Sequence, residues 1–282
     1  MNIGIVGIGL IGSSLARAFR ACGLNEIAIY DSSQPHMDQA KALSLGTHYC
    51  DTIEAVASFS DIVFVCVPVD TIATVVKALC AHLKVGAIIT DVGSVKSALT
   101  KEIHSFLPPQ ISFVPGHPIA GTEFSGPEAG KADLFAGKPY VLIDVPGNQG
   151  AMERVAALLT KIKAKIFYLS ADKHDVMLAF TSHLPHLCAF SAMNCSEKLS
   201  AQVQKDVTQF AGGSFRDFTR VAGSGSAMWT GIFLANRAHI IEAYKLFRQE
   251  MDDLVCLIEK SDVHEITVKI DRAQELRKKH TT

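Results

Sequence analysis

The tightest constraint on this chain sits at its start, where residues 1–23 read MNIGIVGIGLIGSSLARAFRACG. Residues 2–6 are short, apolar and β-rich, which predicts a strand. Leu10, Leu15, Ala18 and Phe19 recur at helical spacing and predict an apolar-faced helix. Between the two, Gly7, Gly9 and Gly12 complete G-x-G-x-x-G. Gly7 permits a tight strand-to-helix turn, Gly9 lets backbone come up against a pyrophosphate, and Gly12 lets the helix pack close to the strand. The helix N-terminus at Leu10 and Ile11 then points unpaired N–H groups at the anion.

Glycine-rich turns are common, so the surroundings of the motif carry the weight. A second β-like run, residues 26–30, ends in Asp31, 19 residues beyond Gly12 and close to the separation of about 20 expected for a ribose-binding acid. A carboxylate there accepts hydrogen bonds from the ribose hydroxyls and repels a 2′-phosphate, which points to NAD over NADP. Ser32 and Ser33, small and polar, are of a type that also lines phosphate sites. The plainer reading of Asp31 is a turn residue closing a strand.

Residues 3–15 could pass for the apolar core of a signal peptide, but there is no basic segment before them, and three glycines and Arg17 fit poorly. No later uninterrupted apolar stretch approaches the roughly 18 residues of a membrane span. A soluble, cytoplasmic protein is therefore expected, with no membrane partner. At 282 residues there is room for two domains, and 48% hydrophobic against 20% charged residues is enough for large cores. A net charge of −1 offers no basic field to nucleic acid. Seven scattered cysteines without C-x-x-C read as reduced, packed thiols.

Through residue 169 strand-like and helix-like patterns alternate, as in a mostly parallel, doubly wound sheet. Residues 61–67 form an apolar run suited to a strand buried on both faces, stopped by Pro68. Ligands bind beyond the carboxyl ends of such strands. Residues 67–70, beginning Val67-Pro68, residues 91–96, and the loop after the strand at 111–114 all arrive there. Ser94 is placed to N-cap a helix over 95–106. The loop reads GHPIAGTEFSG (116–126), and Pro118 restricts His117 to extended geometry, so one imidazole is presented rigidly.

Beyond residue 170 the β signals cease, so residues 1–169 and 170–282 are expected as an α/β dinucleotide-binding domain of Rossmann type and an all-α domain. A long helix over 172–198 carries Thr181-Ser182-His183-Leu184-Pro185-His186. His183 and His186 share a face, and Pro185 should kink the helix beside them. A polar ligand pocket fits this arrangement. Buried histidines satisfying backbone carbonyls fit it too, for His183 in particular. Zinc is not expected, because no third ligand lies nearby in sequence. Arg216 and Arg220 are four apart; Arg216 reads as part of a solvated charge face with Asp217. An amphipathic helical run over 229–257 is more apolar than a monomer easily hides, which points to a homodimer.

The strings GIGLIGSS, DVGSVK (91–96) and GHPIAGTE-x-SG (116–126), with SHLPH (182–186) and FRDFTRVA (215–222), resemble the prephenate/arogenate dehydrogenase family over residues 2 to about 245. The resemblance implies NAD-dependent oxidative decarboxylation of prephenate, or of arogenate, in tyrosine biosynthesis, by dimers formed through the helical domain. It implies His117 as acceptor of the substrate hydroxyl proton and Ser94 as hydrogen-bonded to that hydroxyl and to the ring nitrogen. It further implies Arg220 on a substrate carboxylate, His186 on the side chain, Ser182 and His183 in the substrate pocket, and Glu123 as a supporting or gating acid. Two other classes compete. A β-hydroxyacid or imine dehydrogenase shares this domain order but would need a helical-domain lysine in the first case, and a non-catalytic NAD sensor would need neither His117 nor Arg220.

Overall fold

The computed structural model describes residues 1–122 and 124–279. Its first half is an open sheet of six parallel strands in the order β3-β2-β1-β4-β5-β6. These are β1 (Ile3–Val6), β2 (Ile27–Tyr30), β3 (His48–Tyr49), β4 (Ile62–Val65), β5 (Ile88–Asp91) and β6 (Ser112–Val114). The strand sequences IGIV, IVFV and IITD are buried throughout, as central strands covered on both faces require. Helices α1 (Leu10–Ala21), α2 (Gln34–Ala42), α3 (Ile53–Phe59), α4 (Ile72–Cys80) and α5 (Ser97–His104) make the crossovers. Two apolar cores result, one per face, around Phe19, Leu15 and Phe64 and around Val63, Val76 and Phe113. The strand order reverses between β1 and β4, so the glycine turn after β1 and Val67–Pro68 after β4 flank the switch point where such sheets take their ligands.

Where one continuing sheet was expected, the chain builds a second one: β7 (Gly116–Pro118), β8 (Pro139–Ile143) and β9 (Lys165–Leu169), with β7 antiparallel to β8. His117 is thus on a strand and not in a loop, paired with Val141, with Ile143 N–H on Pro115 O and Ile119 N–H on Pro139 O at either end. Helix α6 (Gln149–Lys161) covers this sheet. The segment after His117 returns to α1. Lys131 N–H donates to Ser14 Oγ (3.0 Å), Arg17 Nη2 to Pro127 O (3.4 Å), and Gly130 lies so close to Ser13 that an added Cβ would meet its Oγ at 2.2 Å.

From Ala171 onward the described residues form only helices: α7 (Ala171–Leu178), α8 (Leu184–Val203), α9 (Gly213–Thr219), α10 (Ser226–Ala235), α11 (Arg237–Glu259) and α12 (Val263–Lys279). The expected kink at Pro185 takes the form of a π-turn, Ala179–His183, between α7 and α8. One wide turn shifts the helix register where proline cannot donate. By length and composition alone Ala171–Val203 could cross a membrane, with an 18-residue window of mean hydropathy 1.3. The buried polar residues His174, Asp175 and His183 lie within it. The single helix expected over 229–257 is broken at Asn236, which is 2% exposed. Along α11, Ile241, Tyr244, Leu246, Met251, Val255 and Ile258 are exposed apolar side chains.

Candidate active site

The glycine turn has the geometry its sequence requires. Gly7 has φ +90°, where an added Cβ would also meet Cys66 O at 2.5 Å, and a Cβ on Gly12 would meet Gly7 O at 2.0 Å. A Cβ on Gly9 would meet nothing within 4 Å, so this face is open for a ligand to approach the backbone. Gly9 supplies no side-chain cap to α1, so the first-turn N–H groups face outward. Asp31, at the end of β2, accepts from Ile8 N–H (2.7 Å) and Ser33 N–H (2.8 Å), with His36 Nδ1 at 3.5 Å. Its carboxylate is thereby fixed beside the glycine turn, as ribose recognition needs. Asp31→Ser should weaken NAD binding and narrow the NAD-to-NADP preference, measured as the ratio of kcat/KM for the two cofactors; an unchanged ratio would remove Asp31 from this role.

A buried polar knot stands at the carboxyl end of β5. Asp91 accepts from Gly93 N–H (2.8 Å), from Gly116 N–H (3.2 Å) and from the Lys96 ammonium, which also donates to Gly116 O (2.8 Å). Lys96 and Asp91 are fully buried. Burial pushes the Lys96 amine down and the Asp91 carboxylate opposes it. Removing one partner of such a pair costs ~3–5 kcal/mol. The knot fixes Gly116, and therefore His117, against the end of β5.

Ser94 lies inside this turn but does not cap a helix. Helix α5 begins three residues later, at Ser97, and its leading N–H groups are taken by a carboxylate from the helical half: Lys96 N–H and Ser97 N–H donate to Asp175 Oδ1 and Oδ2, both at 2.8 Å. A cap of this kind is worth ~1 kcal/mol. Burial alone would push the Asp175 carboxyl up, but the hydrogen bonds from His174, Ser97 and Lys96 outweigh it and hold it low. His174 Nδ1 lies 2.7 Å from Asp175 Oδ1, and His174 Nε2 lies 2.8 Å from His117 Nδ1. The partner of His117 Nδ1 is therefore His174; Ser94 makes no side-chain hydrogen bond to any described residue. His117 is half-buried. Burial first, then the neighbouring His174, Lys96 and His183, holds its pKa well below the usual imidazole value, so it is neutral at pH 7.

The π-turn brings His183 to the same place. Its Nδ1 is 3.1 Å from Asn236 Nδ2, which also donates to Asp175 O (2.8 Å). His183 Nδ1 is thus an acceptor, and Nε2 carries the proton. That Nε2 is buried with no hydrogen-bond partner among the described residues. Burial, opposed by Asp175, brings the His183 pKa down to about 4. His186 Nδ1–H donates to Ser182 O (2.9 Å), and the ring stacks on Trp229 with centroids 3.6 Å apart. Trp229 also packs edge-on to His183 at 6.0 Å and joins Val95 and Ile232 in an apolar cluster between the two halves. Arg220 opens a 3₁₀ turn, Arg220–Gly223, after α9, and its charge adds to the burial that lowers the His186 pKa. Glu123 lies outside the described residues. Arg216 is exposed on α9.

The structure thus links His117, His183, His186 and Arg220 as successive neighbours where the two halves meet. Sequence reasoning missed His174, Asp175, Asn236 and Lys96, and passed over Trp229 as a landmark. Each bonds or packs across 50 or more residues of chain, or sits within an ordinary helical pattern.

Known proteins agree with this architecture. The family model for the prephenate dehydrogenase nucleotide-binding domain matches residues 15–168, and that for the prephenate dehydrogenase dimerization domain matches residues 170–271. The chain belongs to the prephenate dehydrogenase family. Within the family, cyclohexadienyl dehydrogenase of Zymomonas mobilis is 38% identical over 263 residues, 93% of this chain and 89% of that protein. Prephenate dehydrogenase from Aquifex aeolicus, solved with hydroxyphenyl propionate and NAD+, superimposes with a TM-score of 0.94 at 32% identity, covering 99% of this chain and 98% of the other. Synechocystis arogenate dehydrogenase follows at 0.83 and 27%, covering 99% and 100%.

Proposed function

We propose that this chain is an NAD-dependent dehydrogenase that converts prephenate to 4-hydroxyphenylpyruvate and CO₂ in tyrosine biosynthesis, and that it also accepts arogenate. The observation that carries the reading is the neutral imidazole of His117, held against the end of β5 and close enough to His183 to feel its charge, with His186 beside His183 on Trp229 and Arg220 close enough to His186 to lower its pKa. NAD supplies the hydride acceptor, and Gly7, Gly9, Leu10, Ile11, Gly12, Asp31, Val67 and Pro68 would hold it. Gly9 leaves the approach open, and the uncapped α1 terminus and the fixed carboxylate fit its pyrophosphate and ribose.

The reaction removes hydride from C4 while the bond to the ring carboxylate breaks. The electron pair of that bond completes the aromatic ring, CO₂ leaves, and no net proton is consumed. As the C4 oxygen gains carbonyl character, His117 takes up its proton and returns it to the phenol. General-base help of this kind is worth ~10²–10⁴-fold. Ser94, whose hydroxyl is uncommitted among the described residues, is placed after β5 to hydrogen-bond the same C4 hydroxyl. Arg220 pairs with a substrate carboxylate through its planar fork. His183 offers its buried Nε2–H to a substrate oxygen, and Ser182 and His186 line the side-chain end. Glu123 is kept as a supporting acid on the family resemblance.

Residues 1–169 form the nucleotide-binding unit and residues 170–282 the substrate and dimerisation unit. The exposed apolar row on α11 is the surface on which a second copy would pack to give the homodimer. With a small anionic substrate, neither nucleic acid nor a membrane is needed as partner, and a cytoplasmic location follows. The test is NADH appearance when the purified protein meets NAD with prephenate and, separately, with arogenate. Turnover of either supports the reading and their ratio sets the preference. Silence on both, with NAD binding intact, overturns it.

A further inference from the structure

His117 needs more than neutrality to work as a base. A neutral imidazole has one proton on one of two nitrogens, and only the tautomer with a bare nitrogen toward the substrate can accept. In solution the two tautomers interconvert freely, so a site that relies on one must fix it. Beyond His117 lies a row of buried groups that the reaction itself does not use: His174 and Asp175, adjacent residues on α7, are 0% and 1% exposed.

The row has a direction. Asp175 is held ionised by its hydrogen bonds and can only accept, so His174 Nδ1, at 2.7 Å, carries a proton toward it. Asp175 also accepts Lys96 N–H and Ser97 N–H at the start of α5, which fixes the carboxylate and so the direction in which His174 points. A neutral His174 then has a bare Nε2, which faces His117 Nδ1 at 2.8 Å. His117 Nδ1 must donate. Its Nε2 is left bare, with no hydrogen bond to any described residue.

We propose that His174, backed by Asp175, is a positioning residue that locks His117 in the Nδ1-protonated tautomer and so keeps Nε2 ready to accept the substrate proton. A carboxylate orients a catalytic histidine in hydrolase triads by the same logic, where the wrong tautomer costs about 10⁴-fold. Here the carboxylate acts one imidazole further away. Because His174 and Asp175 belong to the helical half while His117 belongs to the nucleotide-binding half, docking of the halves and preparation of the base are one event.

The proposal is tested on the full-length protein with NAD bound, by nitrogen-15 NMR of labelled histidines, with His117 assigned by its loss in His117→Asn. The expected result is a protonated Nδ1 and a bare Nε2 on His117; a protonated Nε2 overturns the proposal. This readout needs no turnover, so it stands whether or not the substrate reading above, on which the kinetic arm rests, is right. In the kinetic arm His174→Phe, which fills the space but offers no acceptor, is expected to lower kcat by roughly 10²-fold or more, with the KM for NAD little changed. His174→Gln, whose Oε1 can accept from His117 Nδ1, should recover at least tenfold of that loss. Equal kcat for the two variants overturns the proposal, and if His174→Phe does not fold, the wild-type spectrum still decides it.

Discussion

His117→Asn lowers kcat by ~10²–10⁴ while the dissociation constant for NAD stays within a few-fold of wild type. The asparagine keeps a polar group on β7, and the backbone pairing with β8 that fixes this position does not depend on the side chain. The glycine turn and Asp31, which hold the cofactor, lie on other strands. Near-normal turnover would take His117 out of the reaction. The pH profile provides an independent check. The base must be neutral, so kcat/KM falls as pH drops through the His117 pKa, and burial places that pKa well below 6.5. His183 and His186 are lowered as well, again chiefly by burial. His117, His183 and His186 are then neutral above pH 6.5, so kcat/KM should show no acid limb from them there, and the limb of His117 lies below that range. A limb centred near pH 7 would mean that the base is exposed, or is another group.

Arg220→Ala has the next largest effect, on binding. A hydrogen-bonded charged contact is worth about 1.5–3 kcal/mol, so KM for prephenate should rise roughly 10- to 150-fold. The loss belongs to ground state and transition state alike, so kcat changes less. Arg220→Lys should recover only part of it, because an ammonium keeps the charge but not the bidentate fork. An unchanged KM in the alanine variant would refute the role.

The parts of the molecule that were legible in the sequence are those whose causes lie within a few residues of each other. The strand, the three glycines and α1 are one local unit, and each glycine meets a local demand: a positive φ, an open face, a close approach. His117 was legible as a candidate because Pro118 and the strand before it are adjacent. Its own strand was not, since Gly-His-Pro has little β propensity: Pro118 favours extended backbone at His117, but the segment becomes a strand only because β8, more than 20 residues on, pairs with it. Ser94 read as a helix cap because serine before a helical pattern usually is one. The cap is instead Asp175, 78 residues away from Ser97, and no local signal marks it. The two breaks in the helical half divide the same way. Pro185 announced a kink, whereas Asn236 sits unremarked in an apolar run and ends α10 through bonds to Asp175 O and His183 that only the folded chain brings within reach.

The segment that follows His117 is held at both ends by the protein itself, at Ile119 by β8 and at Gly130 and Lys131 by α1. Closing a loop costs chain entropy that grows only slowly with its length, and here that cost is met once, when the domain folds. Such a bridge also sets where the chain tolerates change. Added residues near the middle of the span would lengthen it cheaply, while one at Gly130, pressed against Ser13, would prise the bridge off the cofactor helix.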